Sequence, residues 1–272
     1  LGIPFIPNVS GLGTAFLSGG FIQNIAERLY RHAFQGLTTV FFQNSDDRDL
    51  FVSRGLVNEP QAKLLPGSGI DLGHFYPAPL PSHAEPTCFL MIGRLLRDKG
   101  VIEYVEAARK LRAKGYNASF RLLGASDAKN RTAISADDVQ MWVKEGIIEY
   151  LGKVSDVRPH IAAADCIVLP SYREGAPRTL IEAAAMARPL IATDVPGCRD
   201  VVADKISGFL CAARDSGNLA AAFEAFLAMP AHERVVMGQE GRRRMEQYYD
   251  QRHVVSAYEA AIWEALDQGI LE

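Results

Sequence analysis

From residue 87 onward, short apolar runs alternate with segments of helical periodicity. The runs at Thr87–Ile92, Ala118–Leu123 and Asp165–Leu169 are dominated by apolar, β-branched and aromatic residues, as buried strands are. Between them, apolar residues recur three and four positions apart, as they do on the buried face of a helix. Ser135 and Ser155 each stand where they could cap the helix that follows. We therefore predict an α/β fold with a doubly wound parallel sheet, whose ligand binds at the carboxyl ends of the strands.

The residues before this region predict a second, smaller α/β unit. Apolar residues keep helical spacing over residues 21–33, and an apolar strand follows at Leu37–Phe42. Asn44 is a typical N-cap for the short helix after that strand. A proline-rich segment then predicts a stiff linker and a domain boundary. Its prolines are Pro77, Pro79, Pro81 and Pro86.

Composition and charge exclude several classes of function. The chain of 272 residues has room for one large or two ordinary domains, and its net charge of −3 provides no basic field that would attract nucleic acid. The four cysteines have neither CxxC spacing nor a neighbouring histidine pair, so we predict buried thiols in the cytoplasm and no zinc site. Asp47 and Asp49 could hold a metal, but their place in the first turn of a helix favours a dipole-stabilising role. No apolar run approaches the length of a membrane span.

Two carboxylates follow the strand Asp165–Leu169. Glu174 lies in a loop, and Glu182 lies in the helix that opens at Pro177. The unpaired N–H groups and the positive dipole at a helix start suit a phosphate, and a carboxylate can bind the two hydroxyls of a ribose. Alternatively, Glu182 only pairs with Arg178 at i,i+4, and Glu174 is a solvated loop residue. This segment alone leaves both interpretations open.

Two cations in another loop favour the ligand interpretation. Arg94 and Lys99 follow the strand Thr87–Ile92, and parallel topology brings their loop to the same edge of the sheet as Glu174. Cations that face the positive end of a helix repel it unless an anion lies between them. A diphosphate fits, with Arg94 as a forked donor, Lys99 as a point charge and Gly100 allowing a close backbone approach.

Taken in order, these motifs resemble the family-4 retaining glycosyltransferases of the GT-B fold. The resemblance rests first on two motifs in this order, Gly-Arg-x₄-Lys-Gly at Gly93–Gly100 and Glu-x₇-Glu within Glu174–Ala183. It also rests on three further segments: Gly67–Asp71, Arg188–Pro189 and Thr193–Gly197. Three segments are similar to the branch that builds bacterial surface polysaccharides on a lipid carrier: Asn44–Asp47, Arg173–Arg178 and Asp194–Arg199.

The resemblance implies two Rossmann-like doubly wound domains, of which the C-terminal one is complete and the N-terminal one partial. Residues 1–76 would be the later part of the N-terminal, acceptor-side domain, and residues 77–240 the nucleotide-sugar-binding domain. The C-terminal helix in residues 241–272 would pack back towards the N-terminal domain.

The resemblance also implies a role for each matching residue. Arg94 and Lys99 would hold the diphosphate and stabilise it as it leaves. Glu182 would bind the ribose, and Glu174 would bind the hydroxyls of the donor sugar. Further substrate-binding residues would be Gly175, Arg178, Thr179 and Leu180 at the helix start, Gly69 at the domain junction, and Gly124 and Val154 beside the base.

The implied reaction is transfer of a hexose or N-acetylhexosamine, with retention, from a nucleotide diphosphate sugar to a lipid-linked saccharide. We expect a UDP-sugar donor, bacterial surface polysaccharide synthesis and no metal cofactor. A non-catalytic nucleotide-sugar-binding module remains an alternative. A glycoside hydrolase with Glu174 and Glu182 as acid and base is a further one, but it needs no diphosphate clamp. A nicotinamide oxidoreductase is disfavoured, because Gly11-Leu-Gly13 lacks the third glycine of a dinucleotide fingerprint; we predict a turn there.

The sequence departs from the family pattern in three places. Many relatives carry a histidine in the loop that matches Pro7–Gly13, where this sequence has none. Ala187 stands where glycine is usual, and we predict a packing cost only. The chain begins at Leu1, within what reads as an apolar strand at Ile3–Ile6, so we expect roughly a hundred preceding residues of the acceptor domain. Any peripheral contact with the inner face of the plasma membrane would lie there, and the chain alone would bind a donor without turnover.

Overall fold

The computed structural model describes residues 5–12, 20–81, 86–126 and 130–270 of the chain. These residues form two compact units. The first unit contains the described residues up to Gly69, the short segment Glu174–Ala176 and the residues from Tyr248 onward. The second unit contains Ile70–Arg173 and Pro177–Gln247.

Strands and helices alternate along most of the described chain, as the sequence predicts. The strands are β1 (Asn8–Val9), β2 (Val40–Phe42), β3 (Ala62–Leu64), β4 (Thr87–Ile92), β5 (Ala118–Leu123), β6 (Glu149–Tyr150), β7 (Cys166–Leu169), β8 (Leu190–Thr193) and β9 (Gly208–Cys211). The α-helices are α1 (Gly20–Phe34), α2 (Ser45–Ser53), α3 (Val101–Ala113), α4 (Ala136–Lys144), α5 (Arg158–Ala162), α6 (Arg178–Ala185), α7 (Cys198–Val201), α8 (Ser216–Ala228), α9 (Ala231–Arg244) and α10 (Gln251–Ile270). Short 3₁₀ turns lie at Glu59–Gln61 and Arg97–Lys99, and a π-helical turn lies at Met245–Tyr249.

The first unit has a parallel sheet of order β1-β2-β3 among its described residues. Its middle strand is fully buried, and its side chains alternate between two hydrophobic clusters. Val40 and Phe42 pack with Phe51 of α2 on one face, whereas Phe41 packs with Ala261 of α10 on the other. Helices therefore cover both faces of this sheet.

The second unit contains a parallel sheet of order β6-β5-β4-β7-β8-β9. From β4 the chain adds β5 and β6 on one side, and then β7, β8 and β9 on the other. The doubly wound prediction is therefore confirmed. In such sheets the ligand crevice lies where the strand order reverses, outside the carboxyl ends of the two central strands. Here these strands are β4 and β7.

Arg188 is the largest fully buried side chain of the second unit. It precedes β8 and donates hydrogen bonds of 2.7–3.0 Å to four backbone carbonyls. The acceptors are Ile161 and Ala162 in α5, and Ala78 and Pro79 in the preceding linker. Burial lowers the pKa of Arg188 to about 10, so the guanidinium remains charged at neutral pH.

The structure confirms the predicted N-caps of α2 and α4, but it corrects the sequence analysis elsewhere. Ser155 caps no helix, because α5 follows Val157, whose side chain makes no capping bond. Of the strand predicted at Ile3–Ile6, the described residues Phe5 and Ile6 are not in a strand, and β1 lies at Asn8–Val9. Leu1–Pro4 and Gly13 are outside the described residues. Ala187 has a φ of +57°, so its cost is backbone strain and not packing alone. Over the described ranges, no helix has the length and apolarity to cross a membrane.

Candidate functional site

The carboxyl ends of β6, β5 and β4 meet at three glycines. The N–H of Gly124 donates to the Gly152 carbonyl at 2.8 Å, and the N–H of Gly93 donates to the Leu123 carbonyl at 3.0 Å. Gly124 has a φ of +152°, and a β-carbon there would overlap the carbonyl oxygen of Gly93. The turns thus pack backbone against backbone. Gly124, which the sequence analysis predicted beside the base, must therefore be glycine for this packing, whether or not it contacts a ligand.

The loops after β4 and β7 are joined in a similar way. The N–H of Tyr172 donates to the Asp98 carbonyl at 2.9 Å. Gly100 has a φ of +77°, and a β-carbon there would overlap the carbonyl oxygen of Pro170. These contacts confirm that the two loops share one edge of the sheet. They also show that the close backbone approach at Gly100 is to Pro170.

Arg94 and Lys99 lie in the first of these loops. Arg94 directly follows Gly93, and its side chain is exposed. Among the residues that the structure describes, no carboxylate forms an ion pair with it. Lys99 is half-buried and closes the 3₁₀ turn Arg97–Lys99. Arg94 therefore places a positive charge at the carboxyl edge of β4 that has no carboxylate partner among the described residues.

Helix α6 begins beside the same edge. Thr179 Oγ1 donates to the carbonyl of Ile92, the last residue of β4, at 3.4 Å. Pro177 provides no side-chain cap, and the N–H groups of Arg178 and Thr179 have no acceptor in the described part of the chain. The N–H of Leu180 donates to the Pro177 carbonyl at 3.0 Å. The N–H of Leu180 is thus used within the first turn of the helix, and its phosphate contact stays a prediction. Among the described residues, the N–H groups of Arg178 and Thr179 remain without an acceptor at the helix start.

Glu182 forms the i,i+4 ion pair that the sequence left as an alternative. Arg178 Nε donates to Glu182 Oε1 at 2.6 Å. The Glu182 side chain is 12% exposed and the Arg178 side chain 76% exposed, so only the arginine is free to move into solvent. The ribose contact of Glu182 stays a prediction.

The segment Glu174–Ala176 packs with the first unit. Asn44 Nδ2 donates to the Gly175 carbonyl at 3.1 Å. A β-carbon on Gly175 would overlap the carbonyl oxygen of Ser10, so this position requires glycine. Glu174 itself is half-buried.

The remaining predicted residues lie at separate places. Gly69 belongs to the first unit, and a β-carbon there would lie 2.5 Å from the Cα of Gln251, at the start of α10. Val154 is half-buried in the turn after β6. The structure thus brings Arg94, Gly124 and Thr179 to one edge of the second unit and groups Gly69 with the first. The described ranges hold no cluster of three or more His, Cys, Asp or Glu side chains that could bind a metal.

Tyr172 is a residue of this edge that the sequence analysis missed. Its hydroxyl donates to Glu103 Oε1 at 2.7 Å, and the guanidinium of Arg214 lies over its ring at 4.6 Å from the centroid. Burial, and then the bond to Glu103, raise the pKa of Tyr172 to about 12, so the phenol stays protonated. Tyr172 thereby fixes the loop after β7 against α3.

Comparison with known proteins identifies relatives in bacterial glycan synthesis. The chain is 28% identical over 226 residues to the N,N'-diacetylbacillosaminyl-diphospho-undecaprenol alpha-1,3-N-acetylgalactosaminyltransferase of Campylobacter jejuni, an alignment that covers 78% of this chain and 58% of the relative. It is 29% identical over 206 residues to the putative colanic acid biosynthesis glycosyltransferase WcaL of Escherichia coli K12, and this alignment covers 73% of this chain and 50% of the relative. The chain thus spans about half the length of the curated relatives it matches.

Among solved structures, HepE from Anabaena in complex with UDP has a TM-score of 0.79. It is 16% identical, and the superposition covers 94% of this chain and 72% of HepE. The predicted GT-B fold is therefore confirmed.

The family model described as "Glycosyl transferases group 1" matches residues 86–229, which is more than half of the chain. This range contains β4 to β9, the loop that carries Arg94 and Lys99, and helix α6, which carries Glu182. The chain belongs to the group 1 glycosyl transferases.

Proposed function

We propose that this protein acts in a retaining glycosyltransferase reaction of bacterial surface polysaccharide synthesis. It transfers a hexose or N-acetylhexosamine from a UDP-sugar to a lipid-linked saccharide. Family membership supports a glycosyltransferase, and the name of the Campylobacter relative, which contains diphospho-undecaprenol, supports the lipid-linked acceptor. The name of the Escherichia relative supports polysaccharide synthesis, and the UDP complex of HepE supports the nucleotide.

The observation that carries the proposal is the unneutralised positive charge at the carboxyl edge of the second unit. Arg94 has no carboxylate partner among the described residues, and the N–H groups of Arg178 and Thr179 have no acceptor there. A diphosphate would accept hydrogen bonds from the N–H groups and from Arg94, and Lys99 would add a second charge. Glu182 would bind the ribose after its Arg178 partner, which is exposed, turns into solvent.

In the proposed reaction the bond between the sugar C1 and the diphosphate oxygen breaks, and a bond from C1 to the acceptor oxygen forms on the same face. Negative charge that develops on the diphosphate is stabilised by Arg94 and Lys99, which act without a metal ion. The leaving phosphate oxygen accepts the proton of the acceptor hydroxyl, and Glu174 holds the sugar hydroxyls. Proton NMR of the new glycoside tests this step, because a product of inverted configuration would contradict it.

Calorimetric titration of the protein with UDP tests the donor site, with GDP and NAD as comparison ligands. We expect UDP alone to bind, and we expect Lys99→Ala to weaken UDP binding about tenfold, because a charge-assisted contact contributes about 1.5–3 kcal/mol. Lys114→Ala is the matched control, since Lys114 is an exposed lysine paired with Glu224 at 2.6 Å. Binding that Lys99→Ala leaves unchanged would contradict the diphosphate clamp, and a protein that does not bind UDP would contradict the proposed donor.

A further inference from the structure

We infer that Asn44 is a positioning residue for the sugar-binding loop, and that it acts by fixing the carbonyl of Gly175 and so orienting Glu174. The inference rests on the proposed function, in which Glu174 binds the hydroxyls of the donor sugar. Both Asn44 and the segment Glu174–Ala176 belong to the first unit.

The side chain of Asn44 is buried and makes three hydrogen bonds. Its Oδ1 accepts the backbone N–H of Asp47 at 2.8 Å, which caps α2. Its Nδ2 donates to Asp47 Oδ2 at 3.0 Å and to the Gly175 carbonyl at 3.1 Å. A primary amide has two N–H groups, so Asn44 makes both donor bonds at once.

These partners determine the orientation of the amide. With the amide rotated by half a turn, its oxygen would face the Asp47 carboxylate and the Gly175 carbonyl, which both accept hydrogen bonds. Its NH₂ group would then face the N–H of Asp47, which is a donor. Asp47 is fully buried in the first turn of α2, so its carboxylate is a fixed reference for the amide. Asn44 is therefore rigid, and the N–H that it directs at Gly175 has one position.

Gly175 is constrained on two sides by the first unit. The backbone of Ser10 packs against its α-carbon so closely that a β-carbon would overlap the Ser10 carbonyl. The Asn44 bond fixes its carbonyl, and with it the peptide plane between Gly175 and Ala176. Glu174 is the preceding residue, so the direction of its side chain depends on a backbone that is held before any sugar arrives.

This arrangement predicts a specific energetic signature. A loop that is ordered in advance loses less conformational freedom when it binds its ligand. Without the Asn44 bond, that ordering would be needed each time Glu174 contacts a sugar. UDP lacks the donor hexose that Glu174 would contact, so its affinity would not change. The cost of ordering the loop would appear only as a lower ratio of UDP-sugar affinity to UDP affinity.

The test compares two substitutions of Asn44 in the full 272-residue protein. Asn44→Ser and Asn44→Thr both keep an oxygen that can cap α2 but remove the amide donor. Asn117→Ser is the control, because Asn117 is an exposed residue in the turn before β5. Affinities for UDP, UDP-glucose and UDP-N-acetylgalactosamine are measured by calorimetry.

For Asn44→Ser and Asn44→Thr we expect UDP affinity within twofold of the unsubstituted protein, and a ratio of UDP-sugar to UDP affinity that falls about fivefold, the effect of one neutral hydrogen bond. Glu174→Gln should lower the same ratio. The double variant Asn44→Ser/Glu174→Gln should lower it no further than Glu174→Gln alone, because coupled residues are not additive. Asn117→Ser should leave every affinity unchanged.

The outcomes separate this inference from the proposed function. Absence of UDP binding by the unsubstituted protein, or an unchanged ratio in Glu174→Gln, would overturn the proposed donor site and the inference with it. If Glu174→Gln lowers the ratio and both Asn44 variants leave it unchanged, only the inference is overturned. Hydrogen exchange provides a second measurement without ligand: amides of the segment Glu174–Ala176 should exchange faster in Asn44→Ser than in Asn117→Ser, and equal rates would contradict the role of Asn44.

Discussion

At the amino edge of the six-stranded sheet Arg188 and Lys114 have partners, whereas at the carboxyl edge Arg94 has no carboxylate partner among the described residues. The buried guanidinium of Arg188 donates to four carbonyls, and Lys114, just after α3, pairs with Glu224. Arg94 is exposed and is followed by the half-buried Lys99. The same sheet thus has a buried, hydrogen-bonded arginine at its amino edge and an exposed arginine at its carboxyl edge.

This difference separates a structural arginine from one that is available to a ligand. A buried charge remains buried only when hydrogen bonds replace its lost hydration, and the four carbonyls of Arg188 do this. An exposed charge without a counterion contributes little to folding, but it can be neutralised by an incoming anion. The comparison therefore associates stability with Arg188 at the amino edge and the proposed anion binding with Arg94 at the carboxyl edge.

The largest expected effect is on the amino edge. Arg188→Met should lower the free energy of unfolding by about 3–5 kcal/mol, because four buried carbonyls lose their donor. Urea unfolding followed by circular dichroism measures this, with Arg94→Met as the control that should change stability by less than about 0.5 kcal/mol. Similar losses in the two variants would remove the distinction between the edges.

A pair of glycine variants sharpens the comparison with a smaller expected effect. Gly100 and Gly115 have φ values of +77° and +76°, so alanine at either position costs about 1–2 kcal/mol of left-handed strain. A β-carbon on Gly115, near the amino edge, meets nothing within 4 Å, whereas one on Gly100 meets the Pro170 carbonyl. Gly100→Ala should therefore cost a further 1–3 kcal/mol or so in urea unfolding. Equal losses would mean that the loops at the carboxyl edge are not closely packed.

The smallest expected effect concerns the protonation of Tyr172 at the carboxyl edge. Its pKa is raised from 10 to about 12, so the stability that its protonated hydroxyl contributes is fully present below pH 10 and is lost as the pH rises through 12. Ultraviolet titration should show a tyrosine that ionises near pH 12 and is absent from Tyr172→Phe. Glu103→Gln should lower this pKa, since the bond to Glu103 is its second cause. Titration of every tyrosine near pH 10 would contradict the described contacts.

Features encoded by neighbouring residues could be predicted from the sequence. The strands Thr87–Ile92 and Ala118–Leu123 were predicted with their observed bounds, because buried parallel strands are short apolar runs. Asn44 and Ser135 were predicted as N-caps because a cap acts within three residues. Gly-Arg-x₄-Lys-Gly and Glu-x₇-Glu, which are also local, indicated a family of glycosyltransferases, and the comparisons show the group 1 glycosyl transferases, whereas family 4 and retention stay predictions.

Features that depend on distant residues could not be predicted. The bond from Asn44 to Gly175 spans 131 positions, the bond from Tyr172 to Glu103 spans 69, and the bond from Arg188 to Ala78 spans 110. No periodicity or spacing encodes such pairs, because they exist only once the sheet has formed. The occupied N–H of Leu180 is a local feature, and the turn at Pro177 was the signal that could have revealed it.

The order of strands in the second unit also determines when its crevice can exist during synthesis of the chain. Strand β4 is made first and finds β5 soon afterwards, but its other neighbour is β7, and the bond from Cys88 to Asp165 beside that pairing spans 77 residues. Until β7 leaves the ribosome, one side of β4 is an unpaired strand edge, which is a site for aggregation. The proposed donor binding would therefore be acquired late by the nascent chain, and a ribosome that stalls before β7 would release a polypeptide with an exposed strand edge and an incomplete crevice.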